Sequence, residues 1–178
     1  DLQLITSIGG ISSSMSSCTD PFNNVYYLGT GSTILGFNIN TGAIVTNFTI
    51  PYPGYCNKIV FNSCDTSIYA LQNYNSVVNL VRFKPSTNSI SVIFSQNYPI
   101  GFCGGCNGFI NPDNQTYTLD MGSHIIGIDL NNGQILYNSA IVDIPFEQFG
   151  HICLDCSSNI IYGTSANVNA GIKYLASI

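Results

Sequence analysis

The sequence predicts an all-β chain built from one four-strand unit used about four times. Three observations predict it. Short apolar runs rich in Val, Ile, Tyr and Phe are separated by clusters of Gly, Asn, Ser, Asp and Thr, the pattern of strands and turns. No stretch carries the 3.6-residue apolar period of an amphipathic helix. The runs also recur: aromatic strand centres stand at Tyr27, Tyr69, Tyr117 and Tyr162, 42, 48 and 45 residues apart.

The elements follow in order. Residues 1–10 hold an apolar strand, with Leu2, Leu4, Ile5 and Ile8 ahead of Gly9-Gly10. The first unit, 11–50, has a weak first strand near 13–17, then strands around Tyr27, at 34–38 and at 44–48. The second, 56–96, repeats them at 59–62, around Tyr69, at 80–84 and at 90–94. The third, 106–141, places them at 108–111, around Tyr117, at 125–129 and at 135–138. Between the third and fourth strands lie the turns Asn40-Thr41-Gly42, Ser86-Thr87-Asn88 and Asn131-Asn132-Gly133, where Gly or Asn suits a residue with positive φ. The last unit, 151–178, offers strands only at 152–154, 160–164 and 172–175.

Four strands in a period of 40 to 50 residues mark a β-propeller blade. The expected architecture is a single propeller domain over 1–178, with about four four-stranded blades. The fourth is completed by the N-terminal strand of the same chain or of a neighbour. Closure within one chain gives four blades; closure across chains gives a larger ring or an open filament.

The runs ILGFNINTGAIVTNFTI (34–50) and IIGIDLNNGQILYNSAI (125–141) resemble the repeat of YVTN-type and quinoprotein-like propellers. In those, a strand, an Asp/Asn-x-x-Thr/Asn-Gly turn and a second strand recur in each blade. The resemblance implies the fold and no particular activity. The chain has no Trp, so the tryptophan-docking form is absent and no quinone cofactor is expected.

Composition narrows the function classes. Only 7% of residues are charged and the net charge is -5, against roughly 25% charged in an average domain. A nucleic-acid groove or a polybasic membrane patch needs clustered Lys and Arg. No apolar run approaches the roughly 20 residues of a spanning helix. Seven cysteines and two sequons, at Asn47 and Asn114, point to a secreted glycoprotein with disulfides. Asp1-Leu2-Gln3 reads as a mature terminus left by signal cleavage.

The disulfide candidates are Cys18, Cys56, Cys64, Cys103, Cys106, Cys153 and Cys156. Proximity in sequence suggests Cys56 with Cys64 and Cys103 with Cys106, and an odd count leaves one thiol over. Neither C-x-x-C pair lies in a βαβ unit, so redox catalysis is not expected. Asp143, Glu147 and His151 read as loop residues rather than a metal or acid–base cluster, and no nucleophile elbow accompanies His124 or His151. Asp20, Asp65, Asp113 and Asp155 recur near the turn after each first strand, where carboxylates bond backbone N–H groups. Loop aromatics include Tyr52, Tyr55, Tyr74, Tyr98, Phe102, Phe146 and Phe149. Tyr52, Tyr98 and Phe146, each next to a proline, are the binding-rim candidates.

The expected function is a secreted, non-enzymatic propeller that binds an extracellular glycan or protein without a cofactor. The alternative is a self-assembling structural protein joined by strand exchange through Leu2, Leu4, Ile5 and Ile8.

Overall fold

The structure is a computed structural model describing residues 15–52, 54–97, 108–120, 124–140, 149–155, 160–165 and 173–177. Among the described residues the regular elements are fifteen strands and one 3₁₀ turn, Pro85–Thr87. Strands β1 (Met15–Asp20), β2 (Val25–Thr30), β3 (Thr33–Asn38) and β4 (Ile44–Thr49) form the first sheet in chain order. The second holds β5 (Tyr55–Asn62), β6 (Ser67–Tyr74), β7 (Val77–Lys84) and β8 (Ser89–Asn97). The third holds β9 (Gly108–Asn111), β10 (Thr116–Asp120), β11 (His124–Asp129) and β12 (Ile135–Ala140). The fourth holds β13 (Phe149–Asp155), β14 (Ile160–Ser165) and β15 (Lys173–Ser177). Each is a meander of neighbouring strands. The expected closing strand at Leu2, Leu4, Ile5 and Ile8 lies outside the described residues.

Tyr27, Tyr69 and Tyr162 stand two residues beyond the first pair of their hairpins, at Val25, Ser67 and Ile160, whereas Tyr117 stands one residue beyond Thr116. Tyr27 pairs with Cys18, Tyr69 with Val60, Tyr117 with Ile110 and Tyr162 with Cys153. Tyr27, Tyr69 and Tyr117 are buried. The turn ladder is regular: Gly42, Asn88 and Gly133 have φ of 71°, 50° and 75°. Left-handed backbone suits glycine and is tolerated by asparagine. Asn38 and Asp129 build the same turn around two of them. Each side chain accepts the N–H two residues on, at 3.0 and 2.8 Å, and each carbonyl accepts from the following glycine at 2.8 Å.

The contacts cluster into two units, Asp1–Gln96 and Asn97–Ile178. In the first, β5 runs beside β1, and the Ile59 N–H donates to Ser16 Oγ at 2.8 Å. The core forms between the two sheets from Val25, Tyr27, Ile34, Ile50, Cys56, Ile59, Ile68, Ala70, Val81 and Phe83. Phe48 stacks on Phe83, with centroids 4.5 Å apart and planes 25° from parallel. In the second unit β13 lies beside β9, and β10 is buried along its whole length. Tyr137 reaches across Gly127, where any side chain would collide with its ring, and its hydroxyl meets Thr118 Oγ1 at 2.7 Å.

Candidate functional site

One end of the first unit is built by the β2–β3 turn, the connection from β4 to β5 and the β6–β7 turn. Backbone bonds tie them together: Ile50 N–H to Ser32 O at 2.8 Å and Cys56 N–H to Gly31 O at 2.7 Å. The buried Gln72 side chain adds a long 3.5 Å bond from Nε2 to Tyr52 O. Gly54 lets the connection settle on the end of β6. Its φ is 133°, and a Cβ there would lie 2.8 Å from the Asn73 carbonyl oxygen. Asn75 and Ser76 close β6 to β7 with φ of 45° and 68°, as a two-residue hairpin turn requires.

This end carries exposed aromatic surface. Tyr55 is 62% exposed and Tyr74 47% exposed. Tyr55 stands opposite Asn73, and Tyr74 opposite Val77. The segments 30–33, 50–56 and 72–78 contain no charged residue. Two phenol rings therefore stand among amide and hydroxyl groups on a neutral surface, which can stack on a flat apolar face and exchange neutral hydrogen bonds.

The rim candidates distribute differently. Tyr52 is half-buried and packs against the core between the first two sheets. Tyr98 and Phe146 lie outside the described residues. At this end of the first unit Tyr55 and Tyr74 reach solvent instead. Their signal in the sequence is the turn chemistry on either side, Gly54 and Asn75-Ser76, rather than a neighbouring proline.

The turn carboxylates cap turns as expected, but they do not all occupy one position. The first strands of the four sheets end at Asp20, Asn62, Asn111 and Asp155, so Asp65 and Asp113 lie inside the loops that follow. Asp20 accepts from the N–H groups of Phe22 and Asn23 at 2.9 and 3.1 Å. Asn62 accepts from Cys64 N and Asn111 from Asp113 N, both at 3.1 Å. Asp65 accepts from Ser67 N at 3.1 Å and from the Tyr69 hydroxyl at 2.9 Å. These are turn-capping bonds. Among the described residues no group of three His, Cys, Asp or Glu could hold a metal. Asp143 and Glu147 lie outside the described residues.

The cysteine pairing also changes. Cys56 and Cys64 flank β5 from opposite ends. Six strand residues at about 3.3 Å each separate them by about 20 Å, and a disulfide needs Cα atoms within about 7 Å. No disulfide joins Cys18, Cys56 and Cys64 to one another. Burial pushes the Cys56 thiol from 9.0 up to about 12. Cys18 also rises to about 12, through burial and then the Asp20 charge, partly offset by Lys58. Thiols held protonated in this way are poor nucleophiles. Cys103, Cys106 and Cys156 lie outside the described residues; Cys153 is on β13. Both sequon asparagines are exposed, Asn47 on β4 and Asn114 in the β9–β10 loop.

Solved structures of similar fold are known. Hydrazine synthase of Kuenenia stuttgartiensis matches with a TM-score of 0.68 at 12% identity, over 84% of this chain and 43% of that one. The extracellular domain of a one component system from B. thetaiotaomicron matches at 0.65 and 14%, over 99% and 22%. The C-terminal WD40 domain of Sif2 matches at 0.65 and 12%, over 91% and 45%.

The fold is β-propeller-like.

These identities show the fold alone. The chain spans less than half the length of each of these proteins. One of them is an enzyme and another an extracellular domain. No protein-family model and no curated protein matches the chain. Among the described residues no helix is long and apolar enough to cross a membrane.

Proposed function

We propose that this chain is a secreted, non-enzymatic β-propeller module of about four blades that recognises an extracellular glycan or protein without a cofactor. The observation that carries the reading is the exposed pair Tyr55 and Tyr74 on a charge-free end of the first unit. Rigid aromatic surface beside adaptable amides and hydroxyls is the composition of many recognition surfaces. The exposed sequons and the likeness to an extracellular domain support the compartment.

Screening the secreted protein against neutral glycans and extracellular proteins tests the reading, with the double variant Tyr55→Ala, Tyr74→Ala as comparison. Affinity for the ligand found falls by about tenfold or more, since aromatic anchors dominate such interfaces. The melting temperature changes little, because both residues are exposed. A ligand bound equally well by the double variant places recognition elsewhere.

A second reading draws on the fourth sheet, which has three strands among the described residues where the others have four. Strand exchange through Leu2, Leu4, Ile5 and Ile8 would supply the missing strand and join chains into an assembly. Light scattering after removal of residues 1–10 then reports single chains. An assembly that survives the truncation excludes strand exchange.

A further inference from the structure

Among the described residues, β4 pairs with β3 alone, so its outer edge presents unpaired backbone groups. Proteins guard such edges with charged residues, proline or bulges that twist the edge away. The outer strand Ile-Val-Thr-Asn-Phe-Thr has neither charge nor proline. Its first two residues are apolar and open to water, Ile44 at 60% and Val45 at 53% exposed. The register shift lies at its inner end, opposite Gly36 and Phe37, and leaves 46–49 in regular pairing.

The strand is also complementary to itself. A two-fold axis through Thr46 sets two copies antiparallel, with Ile44 opposite Phe48 of the second copy, Thr46 opposite Thr46, and Val45 opposite Asn47. Apolar and Thr–Thr cross-strand pairs stabilise a sheet, and an uncharged edge meets its copy without repulsion. The most fitting partner for a bare β4 is therefore β4 of another molecule.

Asn47 sits in the middle of this edge and opens the sequon Asn47-Phe48-Thr49. Asn47 and Thr49 are exposed, while Phe48 turns inward onto Phe83. We infer that an N-linked glycan on Asn47 is the guard of this edge and prevents β4 from pairing with a second copy. The inference rests on the extracellular reading proposed above. In the reaction, the Asn47 side-chain nitrogen bonds to the anomeric carbon of a lipid-linked oligosaccharide. The anomeric carbon–oxygen bond to the lipid pyrophosphate breaks, the lipid pyrophosphate leaves, and the amide gives one proton to solvent. No electron changes hands. A bulky hydrated chain at the strand's centre then occupies the space a neighbouring strand needs.

The test secretes the full chain from eukaryotic cells and compares parent, Asn47→Gln, Thr49→Ala, Asn114→Gln and the double variant Asn47→Gln, Val45→Lys. Glycopeptide mass spectrometry reads occupancy and light scattering reads assembly. The readout is the step from the parent's own state, because β12 carries an equivalent exposed pair, Ile135 and Leu136, without a sequon. Expected are a glycan on Asn47 and at least a doubling of mass in both variants that lose its sequon. The parent's state is expected in Asn114→Gln and its return on adding Val45→Lys. That rescue separates edge pairing from misfolding. A bare Asn47 on protein glycosylated at Asn114 overturns the inference alone, as does an unchanged mass in Asn47→Gln and Thr49→Ala. Secreted protein with no glycan at either site overturns it together with the extracellular glycoprotein reading.

Discussion

Replacing Phe83 with alanine lowers the thermal midpoint by roughly 6–20 °C. Phe83 is 1% exposed and stacks on Phe48 across the gap between the first two sheets. Its neighbours in the core, Ile34, Ile50 and Ile68, are fully buried, so surrounding side chains cannot relax far into the space left behind. Phe→Ala in such a place costs about 3–5 kcal/mol, and each kcal/mol moves the midpoint of a chain this size by about 2–4 °C. Phe22→Ala is the control. That ring is mostly in water and only meets the edge of Phe61, at 6.2 Å between centroids, so its loss changes the midpoint little. Thermal unfolding followed by circular dichroism reads both. A loss below about 1 kcal/mol at Phe83 would mean that the two sheets do not share a core.

Between pH 9 and pH 12 the protein loses stability steeply. Cys56 is 0% exposed, and burial raises its thiol from 9.0 to about 12. Cys18 rises to the same range, and burial also pushes the Tyr69 and Tyr117 phenols above their ordinary 10.0. In the unfolded chain these groups ionise at ordinary values. Above pH 9 the unfolded chain has therefore shed protons that the folded chain still holds, and stability falls as pH rises. The contribution is fully present below pH 9 and is gone once the pH passes the folded value near 12. A fully buried group changes stability by up to about 1.4 kcal/mol per pH unit across that window. Urea unfolding at pH 7, 9, 10 and 11 measures the slope, and Cys56→Ala flattens it. A slope identical in the variant would show that the Cys56 thiol ionises in the folded chain as readily as in water.

Strand positions and turn residues were legible in the sequence because both are set by near neighbours. Alternation over five or six residues defines a strand, and Gly42, Asn88 and Gly133 announce their turns through backbone conformations few other residues accept. The site was only partly legible. Tyr52, Tyr55 and Tyr74 have the same side chain and similar surroundings in the chain, and nothing local distinguishes the one that is packed away. Reading carboxylates alone placed Asp65 and Asp113 in the repeat, whereas the repeating position accepts any short side chain with an acceptor oxygen: Asp20, Asn62 and Asn111.

By itself, the sequence determined an all-β chain of repeated strand meanders, the strands centred near Tyr27, Tyr69, Tyr117 and Tyr162, and the turns between strands. These depend on pleat periodicity and turn stereochemistry, which act over a few residues. The tertiary structure alone decided that Tyr52 packs inward while Tyr55 and Tyr74 reach water, that Cys56 is buried far from Cys64, and that Phe48 turns onto Phe83 while Asn47 beside it faces solvent. Each of those outcomes depends on which face of one sheet meets the next, a contact between residues tens of positions apart that strand alternation leaves open.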